Sequence, residues 1–187
     1  MKWRKTGSLR NLVFDIENRP LSYQGEGYTN AEVTAIAASF TDEAHVHVWM
    51  LGEVDQETML SGFKGLYDEA GIVTGHYMRM HDLPMINGSL IEVGLPILSP
   101  KLTCDTYLDL VKRKELPSGQ GELAEMFGLP EEKVIMSQTK WRRGNRLRHM
   151  GVQQVRERVV GDVVQCKALR AELISRGLLK APRVWSP

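Results

Sequence analysis

In the stretch Leu12-Val13-Phe14-Asp15-Ile16-Glu17-Asn18, an apolar strand carries two carboxylates. Side chains on a strand alternate between faces, so Leu12, Phe14 and Ile16 share one face and Val13, Asp15 and Glu17 the other. An ionised carboxylate in a protein interior must be paired or must coordinate a metal. Donor sets made only of oxygen suit hard cations such as Mg²⁺ or Mn²⁺. The stretch by itself leaves a second reading open, an edge strand with both acids in water, salt-bridged to Arg10 or Arg19.

The rest of the chain narrows the choice. Its 187 residues are enough for one domain with a sizeable core. Apolar residues make up 42% and charged residues 25%, the balance of an ordinary soluble globular protein. The net charge of +1 provides no global field to draw the chain to nucleic acid, so such attraction must come from local clustering. Apolar runs fall far short of the roughly 20 residues of a membrane span. The basic start Met1-Lys2-Trp3-Arg4-Lys5 is not followed by the apolar segment of a signal peptide. Cys104 and Cys166 form no metal-spacing pattern and are expected as reduced core thiols in a cytoplasmic protein.

In chain order, residues 1–9 read as a lead-in, 11–17 as a strand and 18–30 as a turn-rich stretch with Pro20, Gly25 and Gly27. Alternation predicts strands over 32–40 and 45–51, paired as a hairpin. Met59, Leu60, Phe63, Leu66 and Tyr67 predict a helix behind an Asp55 N-cap. A short buried strand is predicted over 71–76. A helix is predicted over 82–93, with Leu83, Ile86, Leu90 and Ile91 inward and Pro84 in its first turn. A strand over 102–106, the start of a helix over 107–112, a helix over 118–127 ended by Gly128 and a turn or two over 131–136 follow. A long helix over 153–175, stopped by Gly177, closes the series. Leading strands with helices interleaved later indicate α/β with a mixed sheet.

Two further acids stand out. In the last helix Val155, Val159, Cys166, Leu169 and Leu173 form the inward stripe, and Asp162 falls on it. An ion pair with Arg156 or Arg158 would satisfy Asp162 as well as a metal would. Asp82 follows a strand end and opens a helix, where an N-cap is its plain role.

In this order the acids resemble those of the DEDD superfamily of 3′–5′ exonucleases, which have an RNase H-like fold and include the proofreading domains of DNA polymerases. Phe14-Asp15-Ile16-Glu17 is similar to the first motif and Gly75-His76-Tyr77-Met78-Arg79-Met80-His81-Asp82-Leu83-Pro84 to the second. Val160-Gly161-Asp162-Val163 is similar to the third, and Cys104-Asp105-Thr106-Tyr107-Leu108-Asp109-Leu110 to a frequent segment before it. The resemblance spans residues 11–175, within one domain of residues 1–187. It implies an RNase H-like mixed sheet with three leading antiparallel strands flanked by helices. It also implies that Asp15, Glu17, Asp82 and Asp162 are catalytic and hold two Mg²⁺ or Mn²⁺ ions about 3.5–4 Å apart for phosphodiester hydrolysis. Asp15 would bridge the ions, with Glu17 and Asp162 on the side of the attacking water.

The chain departs from the pattern at the base. Family members carry Tyr four residues, or His five residues, before the last Asp, where this chain has Arg158 and Glu157. Tyr77 stands where Asn is common and His81 where an aromatic is common. Glu157, Arg158 and His149 are the candidates to replace the base. Between these motifs, Lys140, Trp141, Arg142, Arg143, Arg146 and Arg148 form a basic loop suited to phosphate contact, with the tryptophan able to stack on a base. The expectation is a standalone exonuclease acting on single-stranded DNA or frayed 3′ ends, in a phage or bacterial replication or repair setting with a replication partner. An RNA exonuclease of the same fold, and a nuclease-fold protein that binds nucleic acid without cutting, are the alternatives.

Overall fold

The computed structural model describes residues 9–20, 31–130 and 134–187. The expected turns over 21–30, the lead-in over 1–8 and residues 131–133 lie outside the described residues. Three strands lead: β1 (Asn11–Pro20), β2 (Ala31–Phe40) and β3 (His47–Met50). Each pairs antiparallel with the next. Then come helix α1 (Gln56–Glu69), strand β4 (Ile72–Gly75), helix α2 (Asp82–Glu92) and strand β5 (Lys101–Asp105). Helices α3 (Gln120–Met126), α4 (Gln138–Asn145) and α5 (His149–Ser175) precede a last strand, β6 (Arg183–Trp185).

The sheet runs β3-β2-β1-β4-β5-β6. β1, β4 and β5 are parallel to one another, and β6 returns antiparallel on β5. The expected mixed sheet, with three leading antiparallel strands and flanking helices, is therefore what the chain adopts. Alternation along β1 sorts the core into layers. Leu12, Phe14 and Ile16 pack with Met59, Leu60 and Phe63 of α1 and with Leu83, Ile86 and Leu90 of α2. Val13, on the opposite face, packs with Ala35, Ala37, Val155, Val159 and Val163.

Local chemistry explains several boundaries. Asp55 caps α1 by accepting from the Thr58 N–H at 2.7 Å. Ser137 caps α4 in the same way, from Lys140 N–H. Gly128 and Gly177, at φ 66° and 68°, sit in the left-handed region just past α3 and α5.

The structure corrects the sequence reading in seven places. β1 does not stop at Glu17 but runs on to Pro20, because the register shifts between Glu17 and Asn18 and pairing with β2 resumes beyond it. No helix forms over 107–112: the Asp105 carboxylate accepts from the N–H groups of Tyr107 and Leu108 and holds a turn there. Most of the basic segment is helix α4 and not a loop, and α5 begins four residues earlier than expected, at His149. Ile91, expected inward, is 66% exposed, because α2 presents only its 83, 86 and 90 stripe to the sheet. Asp82 is the first residue of α2, and His81 holds the N-cap position. Strand β6 lies outside the elements that the sequence predicts.

Candidate metal centre

The geometry of β1 produces the site. Asp15 and Glu17 lie on the α5 face, opposite Ala37 and Ala35 of β2. These alanine partners are small, so α5 can cross the strands closely. Asp162 then comes down from α5, buried to 5% exposure and preceded by the buried Gly161. One ligand atom each from Asp15, Glu17 and Asp162 lies within 4.8 Å of the others. Asp15 and Glu17 are half-buried, so the cluster is open on one side. The alternative partners for the β1 acids are engaged elsewhere. Arg10 pairs with Glu43, Glu69 and Asp42, and Arg19 with Glu32.

Asp82 is not within this three-carboxylate group but beside it. Its Oδ2 is 3.4 Å from His81 Nδ1. The hydrogen bond with Asp82 raises the His81 pKa against an opposing effect of burial, and the charges of Asp82 and Glu17 add to the rise. His81 thus sits in the field of both Asp82 and Glu17. Sequence reading assigned His81 no role; its neighbourhood to Asp82 in the second motif was the available signal.

Arg158 enters the cluster directly. It lies one helical turn before Asp162, so its side chain falls over the same face. Arg158 Nε is 2.7 Å from Asp162 Oδ2 and 3.4 Å from Glu17 Oε1. Its Nη1 donates to the Val134 carbonyl at 3.1 Å. A guanidinium stays protonated in proteins and has no acceptor, so Arg158 at this place is a counter-ion and not a base. Glu157 is exposed on α5. His149 is exposed at the start of α5, 13 residues and about 20 Å along the helix from Asp162. The three residues weighed as a replacement base are therefore one paired cation and two groups turned away or far off.

Further side chains brace the three acids from behind. Cys166, one turn beyond Asp162, is buried close enough to Asp15 to feel its charge, and burial pushes its thiol pKa up. Gln120 of α3 donates to the Asp162 carbonyl at 2.9 Å and to Gln165 Oε1 at 3.2 Å, tying α3 to the α5 turn that carries the acid. His76, after β4, bonds Thr106 Oγ1 at 2.9 Å and reaches the Ser118 carbonyl at 3.0 Å. An open cleft of about 440 Å³ lies beside it, walled by Tyr77, Met80, Tyr107 and Arg113.

The basic residues form a separate surface on α4 and the turn after it. Arg142, Arg143, Arg146 and Arg148 are exposed, while Lys140 and Trp141 are half-buried. Trp141 packs against the Val152 and Val155 layer, so its ring is partly a core element. It still lines a cleft of about 410 Å³ with Arg19, Arg142 and Arg146.

No family model matches the chain, and no curated protein matches it. Among solved structures it is similar to the family B DNA polymerase from the hyperthermophilic archaeon Pyrobaculum calidifontis, with a TM-score of 0.67 and 18% identity. The match covers 90% of this chain and 25% of that one, so the chain spans about a quarter of the polymerase. At that identity the likeness concerns the fold. The chain has an RNase H-like fold.

Asp15, Glu17 and Asp162 offer only carboxylate oxygens, grouped closely enough for one hard divalent ion, and the open side leaves positions for water or phosphate. The residues fit such an ion, with Arg158 as a competing charge. No helix among the described residues is long and apolar enough to cross a membrane.

Proposed function

We propose that this chain is a metal-dependent 3′–5′ exonuclease that hydrolyses phosphodiester bonds of DNA, acting on single-stranded ends in replication or repair. The observation that carries the reading is the convergence of Asp15 and Glu17 of β1 with Asp162 of α5 inside an RNase H-like fold. The match to part of a DNA polymerase and the ordered motifs support it.

Asp15, Glu17 and Asp162 would hold Mg²⁺ or Mn²⁺, with Asp82 completing the set for a second ion. Bound there, the ions supply Lewis-acid stabilisation of phosphate charge and lower the pKa of a water. The chain's own residues supply the rest. His81, with Nδ1 3.4 Å from Asp82 Oδ2, would help to position that carboxylate. The small residues Ala35 and Ala37 keep α5 close, so the three acids share one space. Arg142, Arg146 and their neighbours on α4 would hold the phosphates of the approaching strand. No tyrosine or histidine occupies the position one turn before Asp162, so rates should fall short by the roughly 10²–10⁴ a general base contributes.

That last feature favours a second reading, a nuclease-fold protein that binds nucleic acid without cutting it. The test is a time course on a 5′-labelled single-stranded DNA oligonucleotide, and a matched RNA, with Mn²⁺, Mg²⁺ or EDTA, beside Asp15→Asn. A metal-dependent ladder of shortened DNA, lost in Asp15→Asn, is the expected result. Preferential shortening of the RNA moves the substrate to RNA. A folded protein that binds either strand and cuts neither establishes the second reading.

A further inference from the structure

We propose that Arg158 is a resident counter-ion of the carboxylate cluster, clamped on Glu17 and Asp162, and that a divalent cation binds there only by displacing it. The proposal rests on the metal-centre reading above, but not on cleavage.

The geometry carries it. A single atom, Arg158 Nε, approaches Asp162 Oδ2 at 2.7 Å and Glu17 Oε1 at 3.4 Å. These are two of the three carboxylates whose oxygens share one 4.8 Å group. A divalent ion drawing on that group would share both partners with the guanidinium and meet its positive charge at close range. The Arg158 side chain is 18% exposed, against 7% for Asp162 and 15% for Glu17, so interaction with it is weakly screened by solvent.

The arginine cannot escape the conflict by losing its proton, because a guanidinium remains charged throughout the working pH range. It must move. Its other end is already held outside the acids, by Nη1 on the Val134 carbonyl. The position one turn before Asp162 is where the resembled family carries a tyrosine, which is neutral. This chain has placed a permanent cation there. Three carboxylates with one guanidinium carry a formal charge of −2, where the carboxylates alone would carry −3. Arg158 therefore offsets part of the charge of Asp162 and Glu17 when no metal is bound and weakens metal binding by competition.

The experiment measures Mn²⁺ affinity by calorimetry for the wild type, Arg158→Met and Arg158→Lys, with Asp15→Asn as the control that assigns the heat to this site. Arg158→Met should bind Mn²⁺ about 10- to 100-fold more tightly, the range set by removing one like charge at contact distance. Arg158→Lys keeps a cation and should stay close to wild type. Equal affinity of the wild type and Arg158→Met overturns the proposal. So does an equal gain in Arg158→Lys, which would assign the effect to packing.

Should the Met variant fail to fold, the wild type still decides. The Arg158 Nε–H resonance in a ¹⁵N-labelled sample should shift in step with Mg²⁺ saturation. A resonance that stays fixed while the site fills overturns the clamp. Tighter Mn²⁺ binding by Arg158→Met, with no cleavage by either protein, keeps the clamp and removes the nuclease reading. Cleavage by the wild type with unchanged affinity in Arg158→Met does the reverse.

Discussion

Arg79 grips Asp109 with two nitrogens in the protein interior: Nη1 donates to Oδ2 at 2.9 Å and Nη2 to Oδ1 at 2.6 Å. Both side chains are almost fully buried, at 7% and 1% exposure. The pair anchors a larger lattice. Asp109 also accepts from the Asp105 N–H, and Asp105 accepts from the N–H groups of Tyr77, Arg79, Tyr107 and Leu108. These bonds hold the segment between β4 and α2, including Tyr77 in the left-handed region at φ 63°. A tyrosine there is strained and persists only when its surroundings over-determine it. The segment ends at His81 and Asp82, so the lattice sets where the acid at the head of α2 lies.

Removing Asp109 leaves Arg79 charged and buried, whereas Asp109 has a second cation within reach, Arg183 at 3.3 Å. Asp109→Ala should destabilise the fold by about 3–5 kcal/mol, the usual cost of breaking a buried pair from one side. Arg79→Met combined with Asp109→Leu should cost clearly less than the single change, because neither charge is then stranded. Urea unfolding of both variants measures this. A loss under about 1 kcal/mol for Asp109→Ala, the range of a surface pair, would contradict it.

Two glycines on helices from opposite faces of the sheet should respond to alanine in opposite directions. A Cβ on Gly151 would lie 2.3 Å from the Arg143 carbonyl carbon and from Gly144 N, so α4 and α5 cross backbone to backbone there. Gly151→Ala should destabilise by about 1–3 kcal/mol, as overpacking does, and loosen α4. Gly88, exposed within α2, has open space around its Cβ position. Gly88→Ala should stabilise by about 0.5–1 kcal/mol through helix propensity. Melting temperatures of the two variants that move the same way would refute this account of the crossing.

The parts of this architecture that obey a short period were legible in the sequence. Alternation along 12–17 placed Asp15 and Glu17 on one face, and the three-and-four spacing of α5 placed Asp162 inward. The contacts that bring these acids together depend on the sheet and could be anticipated only through motif order. What stayed hidden was long-range or polar. The Arg79–Asp109 pair joins residues 30 apart, so no local pattern reports it. Helix α4 is rich in arginine and contains Gly144, so its hydrophobic period is faint, although Ser137 was a usable N-cap signal. The ion pair of Arg158 with Asp162 is legible in their spacing of four along α5 and is present; the reach of the same nitrogen to Glu17 needs the strand and the helix in place together.

The two thiols should make the fold sensitive to alkali. Burial pushes Cys104 up to about 11 from an ordinary 9.0 and raises Cys166 as well. A group whose folded pKa is raised contributes stability in full below its unfolded pKa and loses it as the pH rises through the folded value. For Cys104 the window is therefore pH 9.0 to about 11. Each such thiol should contribute a fall of about 1.4 kcal/mol per pH unit within its window. Cys104→Ala should remove that share of the slope in urea titrations. Both native thiols should also resist a thiol reagent at pH 8 until the protein unfolds, as neither is more than 1% exposed. Rapid labelling of the folded protein would count against their burial.

Helix α4 supplies the last prediction, because it separates binding from chemistry. Arg142 and Arg146 are exposed and line the same cleft as Trp141, while the acids lie on β1 and α5. If the two arginines contact phosphates, each contact releases counterions from the strand, and affinity falls with salt in proportion to the number of contacts. Arg142→Ala with Arg146→Ala should therefore weaken binding of single-stranded DNA and flatten the plot of log affinity against log salt by about 1.4, or about 0.7 per lost contact. Trp141→Leu keeps an apolar side chain against the Val152 layer but removes the ring. It should weaken binding by the roughly 1–3 kcal/mol of one stacked base, with the salt slope unchanged. Fluorescence anisotropy over a series of salt concentrations reads both quantities. A slope that is the same in the double arginine variant and the wild type would move the nucleic-acid surface away from α4.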